Sequence, residues 1–182
     1  MAEPDGPEFD PATILTTLER HRVAFLLVGG FGAQAHGAHR QTMDIDLVPA
    51  TSDANLERLA AALGDLNARL RVGGMSDEEA QRLPVVLDVA TLRSFGSSTW
   101  MTDAGALDVL VELRDRAGVR HGYDALVARS VAAEIDGITV ALAGLADIIE
   151  SKANAGRPKD IEALPELRAL LEAEGGRPAE TE

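Results

Sequence analysis

The stretch VAFLLVGGFGAQAHGAHRQTMDIDLVP, residues 23–49, decides the fold. It joins an apolar run, a pair of glycines and two aspartates that are separated by one residue. The apolar run over 23–28 predicts a buried strand. This strand would end at Gly29 and Gly30, whose missing Cβ atoms let the backbone approach a triphosphate closely. A short helix over 32–36 would then face that phosphate with its first N–H groups.

Asp44 and Asp46 lie on the second predicted strand and carry the chemistry. Side chains alternate between the two faces of a strand, so residues two apart project to the same side, about 6.5–7 Å apart. Both carboxylates can therefore reach one divalent cation, whereas Ile45 points into the core. Arg40 and Thr42 come just before this strand, and we expect them to lie next to the phosphates.

Two residues compete for the role of a third carboxylate. Asp108 lies in ALDVLVEL and Asp88 lies in VVLDVATL. A carboxylate among valines and leucines is costly to bury unless it is paired or bound to a metal, so both positions need an explanation. The residues alone leave both open, and an ordinary ion pair with an arginine such as Arg114 would also satisfy Asp108.

Lysine is confined to one short segment of the chain. The 17 basic residues include only two lysines, Lys152 and Lys159, and both fall in SKANAGRPKD. A compact ammonium group is not interchangeable with the planar guanidinium of arginine. We therefore expect this segment, which also contains Arg157 and Asp160, to have a function that requires lysine.

These motifs together resemble the polymerase-beta-like nucleotidyltransferases. Two glycines, then thirteen residues, then DID match the opening signature of that family. HGAHRQTMDIDLV, TDAGALDVL and LADIIESKANAGRPKDIEAL further resemble its small bacterial branch, which includes the MenT and AbiEii type toxins. These stretches extend from about residue 29 to residue 164. One residue departs from the pattern: Gly30 stands where the family usually has serine, so a hydroxyl that would contact a phosphate is absent.

The resemblance implies transfer of a nucleoside monophosphate from a nucleoside triphosphate to an acceptor hydroxyl, with release of pyrophosphate. It favours Asp108 over Asp88 as the third carboxylate, beside Asp44 and Asp46, in a site for Mg²⁺ or, alternatively, Mn²⁺. Asp108 would also orient the acceptor hydroxyl or accept its proton. The implied catalytic residues are Asp44, Asp46, Asp108 and Lys152, and the implied nucleotide-binding residues are Gly29, Gly30, Arg40, Thr42, Lys152, Arg157, Lys159 and Asp160.

Within that set, Lys152 would contact the triphosphate, Arg157 and Lys159 would neutralise the leaving pyrophosphate, and Asp160 would orient one of these cations. By the same resemblance, the acceptor would be the 3′ end of a transfer RNA. The biological role would be that of a toxin neutralised by a cognate antitoxin protein.

The overall charge limits how nucleic acid could be bound. The net charge is −13, which argues against a broad basic groove, because lysine and arginine supply most nonspecific affinity for phosphate. A local basic pocket remains compatible with this charge. Arg114, Arg116 and Arg120 follow the Asp108 strand and would supply a few contacts to the acceptor phosphates. An exposed, solvated loop is the alternative for these three arginines.

Composition also excludes several kinds of site. Cysteine is absent, so disulfides, thiolate catalysis and thiolate zinc sites cannot occur. His36 and His39 are close in sequence, but a magnesium site prefers oxygen ligands. The acidic start has no charged-then-apolar leader and no apolar run is long enough to span a bilayer, which predicts a cytoplasmic protein without membrane contact.

The pattern of elements predicts an α/β (α+β) fold, with a mixed nucleotidyltransferase sheet, flanking helices and a C-terminal helical segment. We expect a flexible acidic N-terminus over 1–10, a single domain over 11–173 and a flexible acidic tail over 174–182. The segment 71–84 reads as a loop or lid, and 85–92 is ambiguous between strand and helix. Helices are predicted over 11–21, 53–70, 123–129, 145–155 and 158–173, and strand pairs over 97–102 with 106–112 and 130–136 with 138–142.

Two other functions remain open at this stage. The same chemistry could act on a small hydroxylated molecule such as an aminoglycoside, which would suit the acidic charge, or on a protein hydroxyl. Alternatively, the chain could be a non-catalytic nucleotide-binding regulator, which the missing serine at Gly30 would favour. The sequence does not identify the preferred nucleoside triphosphate, the acceptor, the antitoxin type or the oligomeric state.

Overall fold

The computed structural model describes residues 7–175, which form a seven-stranded mixed sheet with helices on both faces and a separate two-stranded hairpin. The helices are α1 (Pro11–Arg20), α2 (Gly29–Ala35), α3 (Asp53–Asp65), α4 (Asp77–Gln81), α5 (Val89–Ser94), α6 (Tyr123–Val127), α7 (Leu145–Ala155) and α8 (Pro158–Gly175). The strands are β1 (Phe25–Val28), β2 (Asp44–Pro49), β3 (Arg69–Arg71), β4 (Ser97–Thr102), β5 (Gly105–Leu110), β6 (Glu112–Arg114), β7 (Arg120–Gly122), β8 (Val131–Ile135) and β9 (Ile138–Leu142). The α/β fold class predicted from the sequence is confirmed.

The strand that carries DID lies in the middle of the sheet. The strand order is β3-β4-β5-β2-β1-β9-β8, and β6 pairs with β7 separately. β2 runs antiparallel to β1 and parallel to β5, while β1 is parallel to β9. Ile45 and Leu47 are fully buried on one face of β2. Asp44 and Asp46 therefore project from the opposite face, as the alternation predicted.

The two faces of the sheet are packed differently. One core contains side chains of β1, β2, β4 and β5 under α1, α3 and α5. The other contains side chains of β1, β2 and β6 under α2, α6, α7 and α8. On this second face, the side chains of β4 and β5 are only partly buried. The candidate site lies where this helical cover ends.

Two of the predicted helices have clearly different boundaries in the structure. The helix expected over 53–70 ends at Asp65, because Asn67 adopts a left-handed φ of 50° and the chain turns into β3. Leu70 continues the apolar pattern from a strand, where it pairs with Trp100 in the core. The helix expected over 32–36 already starts at Gly29, so the two glycines form its first turn.

The structure also defines the secondary structure between residues 71 and 92. α4 lies within the segment that was predicted to be a loop or lid, and Ser76 and Glu79 form a capping box at its start. The ambiguous segment 85–92 becomes helical at Val89, because the Asp88 side chain accepts a hydrogen bond from the Thr91 N–H.

The ends of the domain show contacts beyond the predicted boundaries. Phe9 packs edge-on against Phe31 at 6.2 Å between ring centres, and Asp10 caps α1. α8 continues to Gly175. The remainder of the predicted acidic ends, residues 1–6 and 176–182, lies outside the described residues. Within 7–175, no helix combines the length and the apolar composition that crossing a membrane requires.

Candidate active site

Three carboxylates come together on the second face of the sheet. In the parallel pairing of β2 with β5, Asp46 lies opposite Asp108 and Asp44 lies opposite Ala106. Neighbouring strands are about 4.8 Å apart, so the Asp46 and Asp108 side chains stand next to each other. The structure thus brings Asp108 to the DID pair. Asp88 instead caps α5 and does not line the cleft that contains the other three.

The crowding of these carboxylates changes their protonation. Burial, together with repulsion from Asp44 and Asp108, raises the pKa of Asp46 to about 6. A hydrogen bond from the Gly30 N–H and the charge of Lys152 act in the opposite direction. Burial and the charge of Asp44 also raise the pKa of Asp108, against the effects of Thr99, Lys159 and Arg157.

The carboxylate group suits a divalent cation. Asp108 Oδ1 is buried and, among the described residues, has no hydrogen-bond partner. An unsatisfied carboxylate oxygen beside two other carboxylates is the kind of ligand that Mg²⁺ prefers. No three acidic, histidine or cysteine side chains of the described part are already gathered closely enough to hold a metal. Metal binding would therefore require the side chains of Asp44, Asp46 and Asp108 to turn toward one another.

Gly29 and Gly30 fit closely against the carboxylate strand. Gly29 has a left-handed φ of 62°, and a Cβ atom there would overlap the Asp46 carboxylate. The Gly30 N–H, at the start of α2, is directed at Asp46. The sequence analysis expected these N–H groups to face a triphosphate, whereas here one of them holds a carboxylate in place.

Thr42 occupies the space that a side chain at Gly30 would need. A Cβ atom on Gly30 would lie 2.9 Å from Thr42 Oγ1 and 3.0 Å from Thr42 Cβ. The Thr42 hydroxyl donates a short hydrogen bond to Asp44 Oδ1. Gly30 and Thr42 are thus complementary, since the absence of one side chain makes room for a hydroxyl that orients a candidate metal ligand.

The opposite wall of the cleft is cationic and comes from α7 and α8. Lys152 Nζ lies 3.1 Å from Asp160 Oδ1, and Arg157 Nε lies 2.5 Å from Asp160 Oδ2. The Asp160 side chain is only 1% exposed. Burial alone would raise the pKa of Asp160, but the hydrogen bonds from Arg157 and Lys152 outweigh it and lower the pKa. Gly156 ends α7 with a left-handed φ of 62° and turns the chain so that both cations reach the same carboxylate.

The remaining predicted nucleotide-binding residues line the same cleft. Arg40 reaches α8, where it contacts the Lys159 carbonyl and the Glu162 carboxylate, each at 3.2 Å. Thr42 and Lys159 also belong to the lining. The cleft holds about 1010 Å³ of empty space, part of it open to solvent. All predicted catalytic and nucleotide-binding residues are therefore brought together: Gly29, Gly30, Arg40, Thr42, Asp44, Asp46, Asp108, Lys152, Arg157, Lys159 and Asp160.

The three arginines predicted to bind the acceptor lie elsewhere. They belong to the β6–β7 hairpin and its loop and do not line the cleft. Arg114 and Arg120 lie 3.2 and 3.5 Å from Glu112, and Arg116 lies 2.8 Å from Glu150. Arg114 and Arg120 thus share one carboxylate, whereas Arg116 pairs with another.

The two neighbouring histidines also have separate partners. His36 Nε2 lies 2.8 Å from the Ala143 carbonyl, whereas His39 Nδ1 lies 2.8 Å from Glu166. They do not form a metal pair.

Thr99 is a site residue that the sequence analysis missed. It lies directly opposite Asp108 in the β4–β5 hairpin, and its hydrogen bond to that carboxyl opposes the rise in the Asp108 pKa. The turn at Asp103 and Ala104 fixes the register, because Thr102 pairs with Gly105 and each step back along β4 advances one step along β5. Counting outward from this two-residue turn would have identified Thr99.

Comparison with known proteins gives the fold a context. No protein-family profile and no curated protein sequence matches the chain. The lincosamide antibiotic adenylyltransferase LnuA, with lincomycin bound, matches with a TM-score of 0.58 at 12% identity, over 90% of this chain and 99% of that chain. The antibiotic-resistance factor ANT(2'')-Ia matches with 0.57 at 18% identity, over 90% and 83%.

A candidate nucleotidyltransferase from Thermotoga maritima also matches, with a TM-score of 0.52 at 13% identity, over 94% of this chain and 99% of that chain. Identities this low support a shared fold but do not indicate a shared substrate. The chain has the nucleotidyltransferase fold of these proteins.

Proposed function

We propose that this protein is a nucleotidyltransferase that moves a nucleoside monophosphate from a nucleoside triphosphate to an acceptor hydroxyl. One observation carries the proposal: a single cleft sets three carboxylates of neighbouring strands against a cationic wall from α7 and α8. The shared fold with the lincosamide antibiotic adenylyltransferase LnuA supports the same reaction class.

The cationic wall would bind the triphosphate. Lys152 is a compact charge held beside the cleft by Asp160, so its position is set before the nucleotide arrives. Arg157, anchored by the same carboxylate, and Lys159 would neutralise the charge that grows on the leaving pyrophosphate. Preorganised charges of this kind stabilise a transition state without the cost of reorienting during the reaction.

The acceptor oxygen would attack the α-phosphorus in line with the leaving group. As the new oxygen–phosphorus bond forms, the bond to the bridging oxygen breaks and its electron pair leaves with pyrophosphate. The hydroxyl proton passes to the Asp108 carboxylate, whose raised pKa suits a proton acceptor, and then to water. A divalent ion held by Asp44, Asp46 and Asp108 would supply positive charge at the attacking and leaving oxygens.

Removing a carboxylate tests this proposal. Asp44→Ala or Asp46→Ala should lower nucleotidyl transfer by at least about 100-fold in the presence of Mg²⁺, because each removes a proposed metal ligand. Asp88→Ala serves as the control and should stay active. Transfer is measured with labelled nucleoside triphosphates, and folding by circular dichroism. Wild-type activity in either cleft variant would contradict the assignment.

For the acceptor, we propose the 3′ end of a transfer RNA and a cytoplasmic role as a toxin with a cognate antitoxin. This proposal is supported by the resemblance of residues 29–164 to the small bacterial branch that includes the MenT and AbiEii type toxins. Incubation with each labelled nucleoside triphosphate and total cell RNA should label RNA of transfer-RNA size. Production of the wild-type chain should arrest growth, and the Asp46→Ala variant should not. Labelling of no RNA would contradict this acceptor.

A second acceptor class, a small hydroxylated molecule, is favoured by a separate observation. LnuA and ANT(2'')-Ia are described as antibiotic adenylyltransferase and antibiotic-resistance factor, and the net charge of −13 would attract a cationic acceptor. In this case, an aminoglycoside or lincosamide panel should be modified far better than any RNA. Mass spectrometry of the products distinguishes the two.

A further inference from the structure

We propose that the open face of β3, β4 and β5 is the acceptor-binding surface, and that Arg71 binds a phosphate of a single-stranded RNA acceptor there. The inference rests on the proposed nucleotidyl transfer and adds the location and chemistry of the second substrate. It does not involve Arg114, Arg116 and Arg120, which already pair with Glu112 and Glu150.

Four residues form a row across the sheet that leads from the candidate catalytic carboxylates to Arg71. Asp46 pairs with Asp108, Asp108 pairs with Thr99, and Thr99 pairs with Arg71. Residues that pair directly across strands project to the same face. Arg71 therefore shares a surface with the carboxylates, two strands from Asp108, which corresponds to about 10 Å between Cα atoms.

A second row runs beside the first one. Asp44 pairs with Ala106, Ala106 with Met101, and Met101 with Arg69. Small and apolar side chains thus separate the carboxylates from two arginines. Arg69 already lies 3.2 Å from Asp103, which makes Arg71 the better candidate for an anionic ligand.

This face is accessible. Trp100 and Leu107, which alternate with the residues of the two rows, are at most 1% exposed in the core on the other side of the sheet. Thr99, Met101 and Ala106 are only partly buried, and Arg71 is exposed. The second core, which packs α7 and α8 over the sheet, contains no side chain of β3 or β4 among the described residues.

The two substrates would then approach from opposite sides of the carboxylates. Lys152, Arg157 and Lys159 form the wall on the α7 and α8 side, where the triphosphate is proposed to bind. The opposite side leads along β5 and β4 to β3. An acceptor hydroxyl beside Asp108 would therefore have the rest of its molecule over Thr99 and Met101.

The order of chemical groups along this surface fits a nucleotide. It presents a carboxylate for the hydroxyl, an apolar strip for a base or sugar, and a guanidinium for a phosphate, which arginine binds through a planar pair of N–H donors. A polycationic antibiotic would meet like charge at Arg71. The surface therefore favours an RNA end over a cationic small molecule.

The test uses the full-length protein with Arg71→Ala and Arg71→Glu. The probe is a short single-stranded oligoribonucleotide with a free 3′ hydroxyl. Its binding is followed by fluorescence anisotropy without nucleotide, its KM by transfer of labelled nucleotide, and nucleoside triphosphate affinity by calorimetry. The control is Arg58→Glu, which reverses an exposed charge on α3, on the other side of the sheet.

We expect the Kd and KM for the oligoribonucleotide to rise about tenfold in Arg71→Ala, the loss of one charge-assisted hydrogen bond, and further in Arg71→Glu. The slope of log affinity against log salt should fall by about 0.7. Nucleotide affinity should stay at the wild-type level in both variants, and Arg58→Glu should match wild type throughout.

Equal oligoribonucleotide binding by Arg71→Glu and Arg58→Glu would overturn the inference. So would modification of a cationic small molecule by the wild-type protein that far exceeds the labelling of any RNA, because Arg71 would then not select an anionic acceptor. The anisotropy measurement needs no catalysis. A wild-type protein that binds the oligoribonucleotide through Arg71 but transfers nothing would contradict the proposed function and leave this surface supported.

Discussion

At the scale of single residues, Gly30 and Thr42 show how a departure from a familiar motif is accommodated. The backbone at Gly30 is not in the left-handed region, so serine would be acceptable there on conformational grounds. What excludes a side chain is the Thr42 group, 2.9 Å from a Cβ at position 30. The missing serine therefore does not by itself indicate a degenerate site, because Thr42 brings a hydroxyl to the same place.

This contact predicts a coupled pair of substitutions. Gly30→Ser should lower kcat/KM and the free energy of unfolding, because it displaces Thr42 from Asp44. Thr42→Gly should also lower kcat/KM, because Asp44 loses its hydrogen-bond donor. The double variant should recover part of both losses, with a coupling free energy of about 1–3 kcal/mol. Strictly additive effects in urea denaturation and in nucleotide turnover would show that the two residues are independent.

The ionised Asp46 carboxylate destabilises the folded protein, and this effect should be measurable when no metal is bound. Its pKa is about 6 in the folded state, against an ordinary value of 3.8. The folded state thus holds this proton more tightly, so its contribution to stability is favourable at low pH and is lost as the pH rises from about 4 to about 6. At neutral pH, ionised Asp46 lowers the free energy of unfolding by up to about 3 kcal/mol.

Asp46→Asn should therefore be more stable than wild type at pH 7.5 in the presence of a chelator, and the difference should shrink toward pH 4. Denaturant unfolding across this pH range measures it. Asp88→Asn serves as the control and should change the stability in the opposite direction, because hydrogen bonds from Thr91 lower the pKa of Asp88. An Asp46→Asn variant that is less stable than wild type at pH 7.5 would contradict the electrostatic account.

At the scale of elements, α7 and α8 act together through Asp160. One buried carboxylate near the start of α8 holds Lys152 of α7 and Arg157 of the connecting turn. Two cations on one carboxylate leave a net positive charge on the cleft wall. The arrangement also explains why lysine occurs at residue 152, since a second guanidinium would compete with Arg157 for the same oxygens.

Lys152→Arg should consequently weaken binding of the magnesium-bound nucleoside triphosphate almost as much as Lys152→Ala, by about tenfold or more. Arg168→Lys, an exposed change on α8, should bind like wild type. Isothermal calorimetry with Mg²⁺ present gives both affinities. If Lys152→Arg binds as well as wild type, the confinement of lysine to this segment has no functional cause.

A second element-scale feature is the clamp made by Asn55 of α3. Its buried side chain accepts a hydrogen bond from the Ala24 N–H at 2.7 Å and donates to the Ala24 and Ala50 carbonyls at 2.9 and 2.8 Å. These residues lie just before β1 and just after β2. Asn55 thus ties together the ends of the two strands that carry Gly29 and Asp46 at their other ends.

Asn55→Ala should lower the free energy of unfolding by about 2–4 kcal/mol, because it leaves buried backbone groups without partners. Arg58→Ala, which removes an exposed guanidinium that donates a 3.3 Å hydrogen bond to Asn55 Oδ1, should have a much smaller effect, about 0.5 kcal/mol or less. Urea denaturation separates these values. A loss below about 1 kcal/mol in Asn55→Ala would mean that water replaces the clamp.

At the scale of the whole molecule, a strongly acidic protein places four of its 17 basic residues at one cleft. The net charge is −13, yet Arg40, Lys152, Arg157 and Lys159 all line the same site. Such a distribution can attract a triphosphate locally while it repels long nucleic acids at a distance. Any RNA contact should therefore involve few phosphates.

The salt dependence of RNA binding should accordingly be shallow. For two or three neutralised phosphates of a single strand, log affinity should fall with log salt with a slope of about −2. Anisotropy titrations of the short oligoribonucleotide from low to physiological salt give this slope. A slope of −5 or steeper would indicate a broad basic surface, which the charge distribution does not provide.

Short-range sequence patterns determined several strands, turns and helices of this protein. The alternation in DID sets Asp44 and Asp46 on one face and Ile45 in the core, and the two-residue turn at Asp136 and Gly137 sets the β8–β9 hairpin. These features depend on neighbours within a few residues, and φ values of 51° and 80° at that turn suit its sequence. The two closing helices and the overall fold class also follow from such short-range patterns.

Only the tertiary structure decided which distant residues meet. Asp88 and Asp108 have similar sequence surroundings, and Asp108 reaches Asp46 because β5 runs beside β2 in the sheet. The fit of Thr42 against Gly30 and the alignment of Arg71 with Asp108 arise in the same way, from strand order and register. Strand order results from packing the whole chain around its two cores, so no local pattern in the sequence encodes it.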